Sequence, residues 1–311
     1  MESEKRNHAA TRLRQVLERR IRHRDSHFGD AAMKIAVTGA SGFLGRHVTT
    51  ELIQRGHAPV LATRDPASLA TFLPHATVVQ LDLHHPPQNP FAALGHPNIL
   101  IHLAWQGLPN FSSLNHLEFE LPVHIRFLKS LISSGLRTLA VTGTCLEYGT
   151  TSGLKTESMI AEPSTAYAVA KNTLRNYLQL QQANNSFNLV WHRLFYLYGP
   201  GQSPQSLLPQ LTRAIAGGET TFKMSGGEQI RDFHHVSSVA HEIVSLALKQ
   251  QPFGIVNGCS GQPTSVRTFV ERYLADNHLA IKLELGHYPY ASYEPFAFWG
   301  DTSYIHHCLA L

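Results

Sequence analysis

From residue 34 onward, short apolar runs alternate with longer amphipathic ones. KIAVTGA (34–40) is apolar and β-rich and reaches a glycine at Gly39. FLGRHVTTELIQRG (43–56) spaces its apolar residues as a helix and stops at Gly56. PVLATR (59–64), TVVQLDL (77–83), NILIHLAW (98–105) and LRTLAVTG (136–143) predict a second to a fifth strand. The run 98–105 is nearly all apolar, as a strand covered on both faces should be. Helices are expected around 115–134 and over 165–184, and FNLVWHRLFYLYG (187–199) predicts a sixth strand. Beyond it the pattern predicts helices near 204–217 and at 264–276, with strands near 221–223 and 254–258. Strands alternating with helices imply an α/β fold with a doubly wound parallel sheet and helices on both faces.

Residues 1–32 read differently. ATRLRQVLERRIRHR places Leu13, Val16, Leu17 and Ile21 at helical spacing among arginines. This segment holds eight Lys/Arg and five Asp/Glu, while the rest of the chain carries 18 basic against 17 acidic residues. A near-neutral body gives no basic footprint for nucleic acid. The expected organisation is a basic extension outside the fold (1–32), a main α/β domain (33–198, with 233–260 returning to it) and a smaller lobe (199–232 and 261–311). No run of 18 apolar residues predicts a membrane span. Cys145, Cys259 and Cys308 are odd in number and show no metal spacing, so the expectation is a reduced, cytoplasmic protein without a metal. The pairs His84-His85 and His306-His307 read as surface residues rather than ligands.

The first chemical motif is Gly39-Ala-Ser41-Gly42-Phe43-Leu44-Gly45, between the first strand and the first helix. In that context Gly39 permits a tight turn, Gly42 lets the backbone approach a pyrophosphate, and Gly45 lets helix and strand pack closely. The helix N-terminus offers free N–H groups and a positive dipole to phosphates. This is the Rossmann arrangement. At the end of the second strand an acid commonly binds the ribose 2′-OH of NAD, and an arginine the 2′-phosphate of NADP. Thr63 and Arg64 stand there, which favours NADP over NAD, with Asp65 close enough to serve NAD.

Tyr167 and Lys171 are four residues apart on a predicted helix, so their side chains share a face. A free tyrosine titrates near 10, and a neighbouring ammonium favours its phenolate. Tyr167 can then take a proton from a hydroxyl or give one to a ketone. Thr144, ending the fifth strand, can hydrogen-bond the reacting oxygen.

In their order these motifs resemble the extended short-chain dehydrogenase/reductase family, also called the NAD-dependent epimerase/dehydratase family, over about residues 33–301. Tyr167-Ala-Val-Ala-Lys171 matches its YxxxK, and Arg193-Leu-Phe195-Tyr196-Leu-Tyr-Gly-Pro-Gly-Gln202 is similar to its R-x-F-N-x-Y-G-P-G-Q segment. Arg231-Asp-Phe-His-His-Val236 and Asn257-Gly-Cys-Ser-Gly-Gln-Pro-Thr264 resemble R-D-F-I-H-V and N-x-G-x-G-x-P-T. The resemblance implies that Lys171 also holds the nicotinamide ribose. It implies that Asp82-Leu83 meet adenine, and that Leu103-Ala104-Trp105 and Phe195 line the cofactor. It further implies that Thr144, Tyr148, Tyr196 and Arg231 meet a nucleotide-sugar substrate, and that helices 115–134 and 165–184 form a homodimer interface. Four positions depart from the pattern: Glu120 and Tyr196 each replace Asn, and Ser237-Ser238 replace Asp-Asp. Cys145-Leu146 stand where 4,6-dehydratases carry Asp-Glu. Thr144-Cys-Leu-Glu-Tyr-Gly149 and Tyr293-Glu-Pro-Phe-Ala-Phe-Trp-Gly-Asp301 resemble the family's reductases, and with Arg64 this resemblance implies reduction of a 4-keto-6-deoxyhexose nucleotide. A 4-epimerase with tightly held NAD is the second reading, and a non-catalytic dinucleotide-binding protein the third.

Overall fold

The computed structural model describes residues 33–290 and 294–310; residues 1–32, the expected basic extension, lie outside the described residues. Lys34–Leu311 forms one compact unit. Its centre is a seven-stranded, wholly parallel sheet. The strands are β1 (Ile35–Thr38), β2 (Val60–Thr63), β3 (Thr77–Gln80), β4 (Ile99–His102), β5 (Thr138–Thr144), β7 (Asn188–Leu194) and β11 (Gly254–Gly258). Their order is β3-β2-β1-β4-β5-β7-β11, so the chain winds outward from β1 in both directions. Register is fixed by pairs such as Ala36 with Val60, Ile35 with Ile99 and Thr138 with Asn188.

The sheet is covered on both faces because successive strand residues point to opposite sides. Ile35 and Val37 join Val48 and Leu52 of α1 (Phe43–Gln54) and Val239, Ile243 and Val244 of α6 (Val236–Leu248) in one core. Ala36 and Leu100 face the other way. They pack with Phe127, Leu128 and Leu131 of α3 (Leu121–Ser133) and Leu174 and Leu178 of α4 (Ala166–Gln182). Each fully buried leucine contributes roughly 1.5–3 kcal/mol. Thr165 starts α4, its side chain accepting the Ala168 N–H at 3.2 Å.

A third core joins α5 (Leu207–Ala216), β9 (Thr221–Lys223) and α7 (Val266–Asp276) through Leu211, Phe222, Met224 and Val270. β8 (Tyr196–Tyr198), β10 (Ile230–His235) and β12 (Pro263–Ser265) form a separate small sheet. β6 (Gly153–Lys155) pairs with β14 (Phe298–Gly300). The short α2 (Pro90–Ala93), β13 (Lys282–Glu284) and α8 (Ser303–Leu309) complete the described elements.

Three expectations need correction. The run 187–199 is two strands: β7 stays in the main sheet and β8 leaves it after Phe195 to pair with β10. The helix expected around 115–134 opens with one wide π turn, His116–Glu120, before α3 begins. The pattern had placed no helix at Val236–Leu248, where α6 covers the sheet. No helix among the described residues is long and apolar enough to cross a membrane.

Candidate active site

The glycine turn sits where β1 meets α1. Gly39 has φ +73°, and a Cβ there would lie 2.6 Å from the Ala104 nitrogen. A Cβ on Gly45 would lie 2.1 Å from the Gly39 carbonyl oxygen, so the close helix–strand approach requires glycine. Gly42 caps α1 without a side-chain hydrogen bond, and no acidic residue stands in the first turn. The helix therefore presents unclaimed N–H groups and the positive end of its dipole to an anion.

A cleft of ≈ 240 Å³ opens at this turn. Ten of the expected cofactor residues line it: Gly39, Ser41, Gly42, Thr63, Arg64, Asp82, Leu83, Leu103, Ala104 and Trp105. Gln106, Glu120 and His124 complete the wall on the α3 side. Arg64 donates from Nη1 to Gln106 Oε1 at 2.9 Å. Asp65 turns away, its carboxylate accepting the Ala67 N–H at 3.1 Å to cap the next turn. Phe43, Leu44 and Gly45 belong to the first turn of α1 rather than to the cleft wall. These residues fit a nicotinamide dinucleotide: the turn leaves no room for side chains, the helix end is open to a pyrophosphate, and residues at the ends of β2 and β4 line the cleft.

Tyr167 and Lys171 lie on the first two turns of α4, both buried. Lys171 Nζ donates to the Thr142 carbonyl at 2.9 Å and sits 5.9 Å from the centre of the Tyr167 ring. It also stands 4.2 Å over the ring of Trp105, which ties the pair to the cleft. Tyr167 is caged by Trp105, Phe111 and His116, with ring centres 6.0, 5.5 and 5.3 Å away. Burial, with Glu147 and Cys145 adding to it, pushes the Tyr167 hydroxyl well above its usual range. Burial also lowers Lys171 to about 7, although Glu147 and Glu120 oppose the shift.

Thr144 closes β5. Its Oγ1 accepts the Leu146 N–H at 3.2 Å while its own N–H goes to Glu147 Oε1 at 2.9 Å. Glu147 is a buried hub. Oε1 also accepts Trp191 Nε1–H at 2.9 Å, and Oε2 accepts Arg193 Nε–H at 2.8 Å. Sequence reasoning missed this carboxylate as a positioning group, since its partners come from two different strands.

The other expected substrate residues, and Phe195 of the expected cofactor residues, lie elsewhere. Tyr148 is buried beneath Arg193 and donates its hydroxyl to Asn257 Oδ1 at 2.7 Å. Phe195 packs with Cys145, Cys259 and Phe298, away from the cleft wall. Tyr196 and Arg231 line a second cavity of ≈ 240 Å³ with Phe233 and Phe269. There Tyr196 donates to Glu294 Oε1 at 3.0 Å and Arg231 Nη2 to Glu294 Oε2 at 2.8 Å. His84, expected at the surface, is half-buried with Nε2 3.0 Å from Glu120 Oε1, while His85 is exposed. Cys145, Cys259 and Cys308 are all buried and free. Among the described residues no group of three or more His, Cys, Asp or Glu is arranged to hold a metal ion.

A glycine turn under an open helix end, beside a Tyr/Lys pair and a strand-terminal threonine, defines a dinucleotide-dependent enzyme of Rossmann type. Residues 35–257 match the model of the NAD dependent epimerase/dehydratase family, and the chain belongs to that family of nucleotide-sugar dehydrogenases, epimerases and dehydratases. The dTDP-6-deoxy-L-talose 4-dehydrogenase (NAD(+)) of Aggregatibacter actinomycetemcomitans is 31% identical, over 86% of this chain and 99% of that protein. A probable UDP-glucuronate 4-epimerase of Rhizobium meliloti is 26% identical, over 77% and 81%. Among solved structures, MoeE5 in complex with UDP-glucose and NAD superposes with a TM-score of 0.76 at 26% identity, covering 89% of this chain and 92% of that one.

Proposed function

We propose that the protein is an NAD(P)-dependent oxidoreductase that reduces the C4 ketone of a 4-keto-6-deoxyhexose nucleotide, with Tyr167 as proton donor. The observation that carries this reading is Tyr167 and Lys171, one turn apart on α4 beside the cleft, with Lys171 Nζ on the Thr142 carbonyl of the strand that Thr144 ends. The dTDP-6-deoxy-L-talose 4-dehydrogenase supports it, because a C4 dehydrogenase run backwards is a C4-keto reductase.

When bound, the nicotinamide dinucleotide supplies the hydride. The chain's own residues manage the proton. The buried hydroxyl of Tyr167 remains protonated at neutral pH, as an acid must before it donates to the ketone oxygen. The Lys171 ammonium stabilises the phenolate left behind. Thr144, held by Glu147, offers its hydroxyl to the same oxygen. Cysteine and leucine at 145 and 146 supply no acid–base pair for elimination. The turn, the ends of β2 and β4, Asp82 and Leu83 would hold the cofactor. Residues 33–198 and 233–260 then form its domain, while 199–232 and 261–311, with Tyr196 and Arg231, cover the nucleotide sugar. Arg64 at the wall supports NADP, whereas the talose dehydrogenase is named for NAD(+) and MoeE5 was solved with NAD, and neither gives NADP support. A homodimer through α3 and α4 completes the reading, and light scattering at micromolar concentration checks it.

Purified protein is assayed with dTDP-4-keto-6-deoxyhexoses and either NADPH or NADH. Stoichiometric oxidation of one nucleotide supports reduction. Redox-neutral interconversion of 4-epimers by protein that retains NAD through purification replaces it with epimerisation.

A further inference from the structure

Trp105 connects more of this site than a cleft wall requires. One ring face carries Lys171 Nζ at 4.2 Å. The His124 imidazole stacks on the indole at 4.4 Å with an interplanar angle of 11°. The indole N–H donates to His116 Nδ1 at 3.1 Å, and His116 Nε2–H donates to the Asn110 carbonyl at 2.9 Å. The indole is thus fixed by its nitrogen and by a parallel ring.

We infer that Trp105 is a positioning residue for the proton donor: its ring face holds the Lys171 ammonium charged beside Tyr167. This rests on the proposed roles of Tyr167 and Lys171. An ammonium has three donors, and Lys171, at 2% exposure, gives one to the Thr142 carbonyl. The electron-rich face of an indole stabilises a desolvated cation beside it. With burial lowering Lys171 to about 7, the presence of that face decides how much of the lysine is charged at neutral pH.

The groups around the ammonium act in the same direction. Glu147 from the turn after β5 and Glu120 from the π turn favour its charged form. His102 of β4 and His124 of α3 are held neutral, so neither opposes it. They form a string in which Thr38 Oγ1–H donates to His102 Nδ1 at 2.7 Å and His102 Nε2–H to His124 Nδ1 at 2.8 Å. His124 Nε2 then points to Glu120 Oε2 at 3.4 Å. Burial pushes both imidazoles down, His124 to about 4. Tyr167, on the same helix as Lys171, is the group whose phenolate the charge serves.

The test is the titration of Lys171 itself, followed by the 13Cε resonance of labelled lysine in the protein without added cofactor. The Lys171→Arg variant assigns the peak. Trp105→Met keeps the bulk and removes the aromatic face, with Trp105→Leu as a second replacement if the first does not fold. Either should lower the Lys171 midpoint by about 1 pH unit. Trp105→Phe, which keeps a ring, should stay within a few tenths of wild type. The alkaline limb of ketone reduction should move with the midpoint. An unchanged midpoint in Trp105→Met or Trp105→Leu overturns the inference, as does an equal shift in Trp105→Phe. The titration reads lysine without turnover, so failure of the proposed reaction would show separately in the Tyr167 variants.

Discussion

Glu147→Gln removes one charge from the interior and changes nothing else in outline. Glu147 is fully buried and accepts from Thr144 N–H, Trp191 Nε1–H and Arg193 Nε–H, with Arg175 Nε 3.8 Å away. A glutamine has one acceptor oxygen, so its NH2 must face either Arg193 or the Thr144/Trp191 donors. Arg193 is 1% exposed and would keep its charge without a counter-ion. Removing one partner of a buried pair costs about 3–5 kcal/mol. In a chain of this size that corresponds to a Tm fall of roughly 10 °C. Urea unfolding followed by circular dichroism measures the free energy directly. The same change frees the backbone of Thr144, and misplacing a catalytic group by an ångström can cost about 100-fold in rate. A stability loss under about 1 kcal/mol would refute the hub, since neither the charge nor the geometry would then matter.

Acid should destabilise the fold through the histidine string. His124 titrates near 6.5 in the unfolded chain and near 4 when folded, so between these values the unfolded state binds more protons and stability falls as pH is lowered, by about 3 kcal/mol for this residue. Glu120, whose folded carboxyl stays ionised to lower pH, adds to the same loss. His124→Gln should flatten the fall in Tm between pH 6.5 and 4, and an unchanged slope would exclude the string as its source. If Arg64 reads a 2′-phosphate, Arg64→Ala weakens NADPH by about 1.5–3 kcal/mol and leaves NADH nearly untouched; calorimetric titration showing equal losses would remove Arg64 from cofactor choice.

The parallel, helix-covered sheet was legible because β1 and β4 are short apolar runs separated by helical periodicity, and both are fully buried. The glycine turn was legible because its spacing records a close approach that only glycine allows. Helix α6, absent from the expected elements, nonetheless keeps Val236, Val239, Ala240, Ile243, Val244 and Ala247 at helical spacing, with Ser237, Ser238, His241 and Ser245 on the opposite face, so its signal was present in the sequence. β8 escaped as a separate strand because a departure into another sheet leaves no break in apolar periodicity. The groups that set up Tyr167 were invisible for a different reason. Thr38 and His102 are 64 residues apart, and Glu147 and Arg193 are 46 apart. No local spacing encodes such pairs; the parallel sheet brings them together. Trp105 was read as a cofactor neighbour, but its hold on Lys171 depends on a side-chain orientation that the chain pattern does not carry.

The central claim is that Tyr167 delivers the proton. Tyr167→Phe keeps the ring in its cage of Trp105, Phe111 and His116 and removes only the hydroxyl. The decisive measurement is kcat of this variant on a dTDP-4-keto-6-deoxyhexose, with cofactor affinity measured alongside. The account predicts a fall of ~100- to 10,000-fold in kcat with cofactor affinity almost unchanged. Near-normal turnover would contradict it.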